Sequence, residues 1–152
     1  MKPPQINLTT LGFNTMILIR QGIPLAKQRH RASVVKGKTH IYDTQTKVMN
    51  ALKFFFAQQM RDEGFLKLSE GPVKVNLTAY MPKPRSWSHR RLKEAEDKPV
   101  TTKPDCDNIF KIYSDILNGI AYKDDAQISK LLVEKLYSDN PRVEIVIMPY
   151  KN

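Results

Sequence analysis

The sequence has little of what would tie a chain covalently or seat it in a bilayer. Only one of its 152 residues is cysteine, Cys106, which excludes an intrachain disulfide framework and makes the reducing cytoplasm the expected compartment. The longest apolar runs, Met16–Ile19 and Phe54–Ala57, fall far short of the roughly 20 residues a membrane helix needs. The first residues lack the charged, apolar and small-residue order of a secretory signal, so none is expected. His30, His40 and His89 are scattered without ligand spacing and read as surface residues, which leaves no sign of a histidine–cysteine metal site. Acidic residues are missing altogether from Met1 to Tyr42.

What is present is positive charge. Lys and Arg number 25 against 15 Asp and Glu, a net charge of +10. Such an excess in a small domain points to a polyanionic partner, and nucleic acid comes before membrane because no basic amphipathic anchor is evident. Plain solubility is the competing explanation, and the distribution argues against it. The acid-free N-terminal stretch holds Lys2, Arg20, Lys27, Arg29, Arg31, Lys36 and Lys38, and a second basic run from Lys83 to Lys103 holds Arg85, Arg90, Arg91, Lys93 and Lys98. Between Asp105 and Asp125 the sign inverts, with five of the 15 acids in that stretch.

The order of elements implies an α+β fold, one domain over 16–149 behind a loose arm over 1–15, with a mixed β-sheet packed by helices on one side. Strands are expected at Met16–Arg20 and His40–Tyr42, with a basic loop over Lys27–Lys38 between them. Asp43 or Thr44 should cap a helix whose Val48, Ala51, Leu52, Phe55, Phe56 and Met60 recur at helical spacing up to Gly64. Val73, Val75, Leu77, Ala79 and Met81 alternate with polar residues as in a half-buried strand. Ser86 is the expected cap of a short charged helix, and Glu96–Pro104 reads as a mobile loop. A second helix carries Ile109, Ile112, Tyr113, Ile116, Leu117 and Ile120 and should end at Gly119. Two strands, Ile128–Tyr137 and Arg142–Met148, close the chain.

On that second helix, steps of three and four residues set Asp107, Lys111, Ser114 and Asn118 along one polar face. Asp105 precedes the helix, where free N–H groups and the positive dipole end suit carboxylates and phosphates. Asp124 and Asp125 follow a turn that can return the chain beside it. Grouped carboxylates are costly unless something positive neutralises them, and a hard divalent ion does so with one or two carboxylates plus phosphate oxygens. The competing reading makes Asp107 a helix cap and the other acids turn formers. A calcium loop is disfavoured, since Ile109 and Phe110 stand where further oxygen ligands belong.

Three pieces, Lys103-Pro-Asp-Cys-Asp-Asn-Ile-Phe-Lys111, Asp115-Ile-Leu-Asn-Gly119 and Asp124-Asp125-Ala-Gln127, together resemble the RusA family of Holliday junction resolvases of bacteria, prophages and phages. The basic Gly22-Ile-Pro-Leu-Ala-Lys27-Gln-Arg29-His-Arg31 resembles that family's Gly-x-Pro loop, and the likeness runs from about Met16 to Met148. It implies a homodimer whose two sites nick opposing strands of a four-way DNA junction in recombination and repair. It also implies metal-binding acids at Asp105, Asp107 and Asp125, a catalytic lysine at Lys111, and Mg2+ as cofactor, with Mn2+ as an alternative. Asp124 is then a neighbour of the site. Cys106 departs from the family's usual branched aliphatic residue and reads as a small buried hydrophobe.

Lys27, Arg29, Arg31, Arg85, Arg90 and Arg91 are the candidate DNA contacts, through phosphate charge rather than base reading. Trp87 has two readings, a base-stacking platform or an anchor for a short helix. Two other function classes compete with the metal-dependent nuclease. Six tyrosines could furnish a recombinase-like nucleophile, and a basic junction-binding module could lack catalysis altogether.

Overall fold

A computed structural model describes residues 15–65 and 69–151, the side chain of Tyr42 excepted, so nearly all of the expected arm lies outside the described residues. The elements run β1 (Met16–Gln21), β2 (Arg31–Val35), β3 (Lys38–Tyr42), α1 (Thr46–Asp62), β4 (Val73–Pro82), α2 (His89–Glu94), α3 (Cys106–Leu117), β5 (Ile128–Ser138) and β6 (Arg142–Pro149). A four-stranded sheet has the order β1-β6-β4-β5, in which β4 and β5 are parallel and the other pairs antiparallel. β2 and β3 form a separate two-stranded sheet. The fold is α+β with a mixed sheet, and no described helix is long and apolar enough to cross a membrane.

Alternation along the strands decides which face meets the helices. Val73, Val75, Leu77, Ala79 and Met81 of β4, Val143, Ile145 and Ile147 of β6, and Met16 and Leu18 of β1 are all buried. α1 supplies Met49, Leu52, Phe56 and Met60, while α3 supplies Ile109, Ile112, Tyr113, Ile116 and Leu117. Phe55, expected in the core, is 41% exposed, because it lies on the flank of the stripe beside the outer edge of β1, in an open cavity it lines with Ile19, Gln21 and Leu52. Gln59 has a different task. Its side-chain amide accepts from Ile19 N at 2.8 Å and donates to Ile19 O at 3.0 Å, closing part of the outer edge of β1.

Several local expectations shift. The basic loop over Lys27–Lys38 is partly strand, since Arg31–Val35 pairs with Lys38–Tyr42 across a two-residue turn. Lys36 (φ 51°) and Gly37 (φ 74°) both take left-handed conformations there, the geometry that suits the twist of a tight hairpin. The N-cap of α1 is Gln45, and Asp43 acts one step earlier by accepting from Gln45 N at 2.8 Å. Ser88 rather than Ser86 caps α2. The Glu96–Pro104 segment is laid along the edge of β5, with Val100 N bonded to Lys135 O at 3.1 Å and Tyr137 N to Lys98 O at 2.9 Å. α3 stops at Leu117, and Gly119 turns the chain with φ 79°.

Phe56 is fully buried and meets the Tyr113 ring edge to face at 6.5 Å, joining α1 to α3. Phe56→Ala is expected to cost about 3–5 kcal/mol. The test is urea unfolding, where the midpoint should fall with little change in slope; a loss below about 1 kcal/mol would remove this contact from the core.

Candidate active site

The site grows from the way α3 begins. Asp105 takes the N-cap position, yet its side chain makes no capping hydrogen bond. An aspartate there ordinarily accepts from an N–H of the first turn. Here the carboxylate is exposed, with Lys103 at 3.7 Å as its close charge partner. Asp107 follows in the first turn, also exposed, and accepts from Asn108 N at 2.9 Å. Two carboxylates thus stand at the positive end of the helix dipole with oxygens turned to solvent.

Lys111 lies one turn further along and sits 3.2 Å from Asp115. Asp115 also reaches Lys27 at 3.7 Å, and Lys27 meets Asp43 at 3.4 Å. Alternating charges therefore run Asp43, Lys27, Asp115, Lys111 across three parts of the chain. The hydrogen bond from Gln45 N, with help from Lys27, holds the Asp43 carboxyl below the usual range.

Lys27 arrives because its segment is stitched across α3. Leu25 N donates to the Tyr113 hydroxyl at 2.9 Å and Lys27 N to Asn108 O at 2.8 Å. Gln45 completes the stitch, accepting from Gln28 N and donating to Ala26 O, both at 2.8 Å. Gly22 starts the segment at φ 103°, where a side chain would be strained.

Asp125 comes from the other direction, in the 3-10 turn Asp125–Gln127. Asp124 caps that turn by accepting from Ala126 N at 2.9 Å, and Gln127 Oε1 accepts from Asp124 N at 3.0 Å. Gln127 also donates to Ser69 O and Gly71 O, at 3.0 and 2.8 Å. This brace leaves Asp125 to meet α3, where it accepts from Ser114 Oγ at 3.4 Å. Ser114 is seven residues past Asp107, or about 10 Å of helix. Asp107 and Lys111 thus lie on one face of α3 with Asp105 at its head, and Asp125 reaches the same helix about two turns on, at the buried Ser114. Among the described residues, no three His, Cys, Asp or Glu side chains are gathered closely enough to form a metal cage.

The expected DNA contacts divide. Lys27 is three-quarters or more covered and doubly paired, while Arg29, Arg31 and Arg85 are exposed. Arg90 pairs with Glu94 at 2.9 Å, and Arg91 lies 4.0 Å over the Trp87 ring. Trp87 packs edge-on against Tyr137 at 5.2 Å, which makes it the anchor of α2. Cys106 is half-buried, its sulfur 4.0 Å from Val133 O.

Two participants were named in the sequence without a place in the site, Asp115 as part of a motif piece and Asp43 as a helix cap. The Lys111–Asp115 spacing of four was a usable signal for the first; for the second there was none, since its partner is 16 residues away. Two tyrosines leave the contest for nucleophile. Tyr113 is buried and accepts from Leu25 N. Burial pushes the Tyr122 hydroxyl up to about 12, its bond to Ser114 opposing and the charges of Asp125 and Asp115 adding.

Exposed carboxylates and lysines on one ridge of a basic domain make a site suited to phosphodiesters, and family comparison gives the class, an endodeoxyribonuclease. The model of the RusA endodeoxyribonucleases matches residues 21–148. The chain belongs to the RusA family. It is 40% identical over 131 residues to the uncharacterized protein YqaN of Bacillus subtilis (strain 168), covering 83% of this chain and 90% of the relative. It is 30% identical over 129 residues to the crossover junction endodeoxyribonuclease rusA of Lactococcus phage r1t, covering 82% and 89%.

The Asp124 carboxyl is lowered from 3.8, first by the hydrogen bond from Ala126 N and then by Asp125. A lowered folded pKa means stability present above the unfolded value and lost as pH falls through the folded one. Asp124→Ala should therefore be less stable than the parent at neutral pH, with the gap closing below about pH 4. Thermal melts from pH 7 to pH 3 check this; a gap that does not change with pH would exclude the ionised cap.

Proposed function

We propose that this chain resolves four-way (Holliday) or otherwise branched DNA in recombination and repair, hydrolysing phosphodiesters in paired nicks as a homodimer in the cytoplasm of a bacterium or a phage-infected cell. The observation that carries the reading is the uncapped Asp105 beside Asp107 at the head of α3, in a chain of the RusA family. Aspartates serving only as caps would have their oxygens committed to the helix.

Asp105, Asp107 and Asp125 would hold Mg2+, or Mn2+ in its place. The donor chemistry fits, because it is all hard oxygen and magnesium needs only one or two carboxylates with the rest from water and phosphate, so the acids need not close into a protein-only cage. When bound, such an ion activates water and offsets charge on the phosphodiester oxygens. The remaining work falls to the protein. The brace through Asp124 and Gln127 fixes where Asp125 approaches α3. Lys111 supplies positive charge toward the phosphate as negative charge builds in the transition state. Asp115 holds Lys111 in place and is itself held by the largely covered Lys27, so Lys111 is the more exposed cation of the pair toward bound DNA. Water adds to phosphorus and the bond to the 3′-oxygen breaks, leaving 5′-phosphate and 3′-hydroxyl ends.

The test is cleavage of an end-labelled four-way junction with Mg2+, beside linear duplex. Paired nicks on the junction that need the metal are expected. Asp107→Asn should lower cleavage at least about 100-fold while leaving binding in place, and Lys111→Ala about 100- to 1,000-fold. Junction binding without cutting under any divalent ion would reduce the protein to a non-catalytic binding module.

A further inference from the structure

The β2–β3 hairpin stands apart from the domain that carries it. Among the described residues it pairs with no other strand, and four of the five β2 residues are exposed. Val34 is 73% and Ile41 72% exposed, the most exposed large apolar side chains among the described residues. Such a ribbon is marginal by itself in water. Its two faces differ in chemistry. Ala32 lies opposite Ile41 and Val34 opposite Thr39, so these four share one apolar face. Arg31, Ser33, Val35, Lys38 and His40 share the other, with Arg29 at the stem and Lys36 in the turn.

Charge selects the occupant. No acidic residue precedes Asp43, whereas Arg29, Arg31, Lys36 and Lys38 all belong to this arm. A partner must therefore be polyanionic and also offer apolar surface to Val34 and Ile41. A DNA branch point meets both needs, with phosphates along its arms and base pairs whose faces are exposed where strands exchange. A two-stranded ribbon fits a DNA groove, and aliphatic side chains are known wedges between base steps. Five residues of strand project about 17 Å. The stem is tied to the candidate active site through Lys27, which joins Asp43 below the hairpin to Asp115 on α3.

We propose that the β2–β3 hairpin is a branch-point wedge: its basic face follows the phosphates while Val34 and Ile41 press on the base pairs beside the crossover and open them. This rests on the branched-DNA reading above. The wedge sets the spacing between the crossover and the phosphate brought to Asp107, and so bears on which bond is cut.

The experiment uses the full chain carrying Asp107→Asn, to prevent cutting, and an immobile four-way junction with 2-aminopurine next to the crossover. Brightening of the probe on binding is expected, together with its loss in Val34→Ser/Ile41→Ser while junction affinity changes less than about threefold. Arg31→Ala/Lys38→Ala should weaken binding about tenfold or more and flatten its salt dependence by up to about two ions. Unaltered brightening in the apolar double variant overturns the wedge while leaving the nuclease reading untouched. Conversion of a dimer to a monomer by that variant, seen in sedimentation, overturns it too, since the apolar face would then be a subunit contact. If the parent binds the junction no better than duplex, the branched-DNA reading fails and the wedge with it.

Discussion

The burial of one side of α3 sets the geometry on which the rest depends. Ile109, Ile112, Tyr113, Ile116 and Leu117 are all at most 2% exposed, so the helix has little freedom to rotate about its axis. That fixed rotation turns Asp107 and Lys111 outward and places Ser114 where the returning chain brings Asp125. It also presents the Tyr113 hydroxyl to Leu25 N, through which the basic N-terminal segment is fastened over the helix. A packing interaction with no chemistry of its own thereby orients the acids and assembles the cations beside them.

The second organising feature is charge balance. Carboxylates on a basic domain repel one another and attract lysines, and the alternation of Asp43, Lys27, Asp115 and Lys111 satisfies both tendencies. Lys27, Asp43 and Asp115 are largely covered, so their pairing holds three segments of the chain in register, while the exposed Lys111 adds little stability of its own. The fully capped Asp124 shows the opposite use of a carboxylate. Adjacent in sequence to Asp125 and identical in type, it is committed to the backbone of the turn.

Much of this was legible beforehand. The period of α3 and the alternation of β4 identified the principal elements, and the spacing of the three motif pieces pointed to the family and to the acids proposed for the site. Hairpin β2–β3 was harder to see, because its strands are short, basic and exposed on both faces, so no burial pattern marks them. The Glu96–Pro104 segment looked like a free loop for a related reason: its order comes from β5, which is more than 30 residues away in sequence. Phe55 misled because helical spacing fixes an angular position but not how wide the covering sheet is.

The amino-acid sequence by itself determined the family, the fold class, the sign inversion between Asp105 and Asp125 and the side of α3 that turns inward. These follow from local periodicity and residue chemistry, which act over a few residues. Tertiary structure decided which carboxylates remain uncommitted, that Lys27 joins Asp115, and that an amphipathic basic arm projects beside the site. Those outcomes depend on contacts between segments from 16 to 88 residues apart, made only when the sheet and helices close on a shared core.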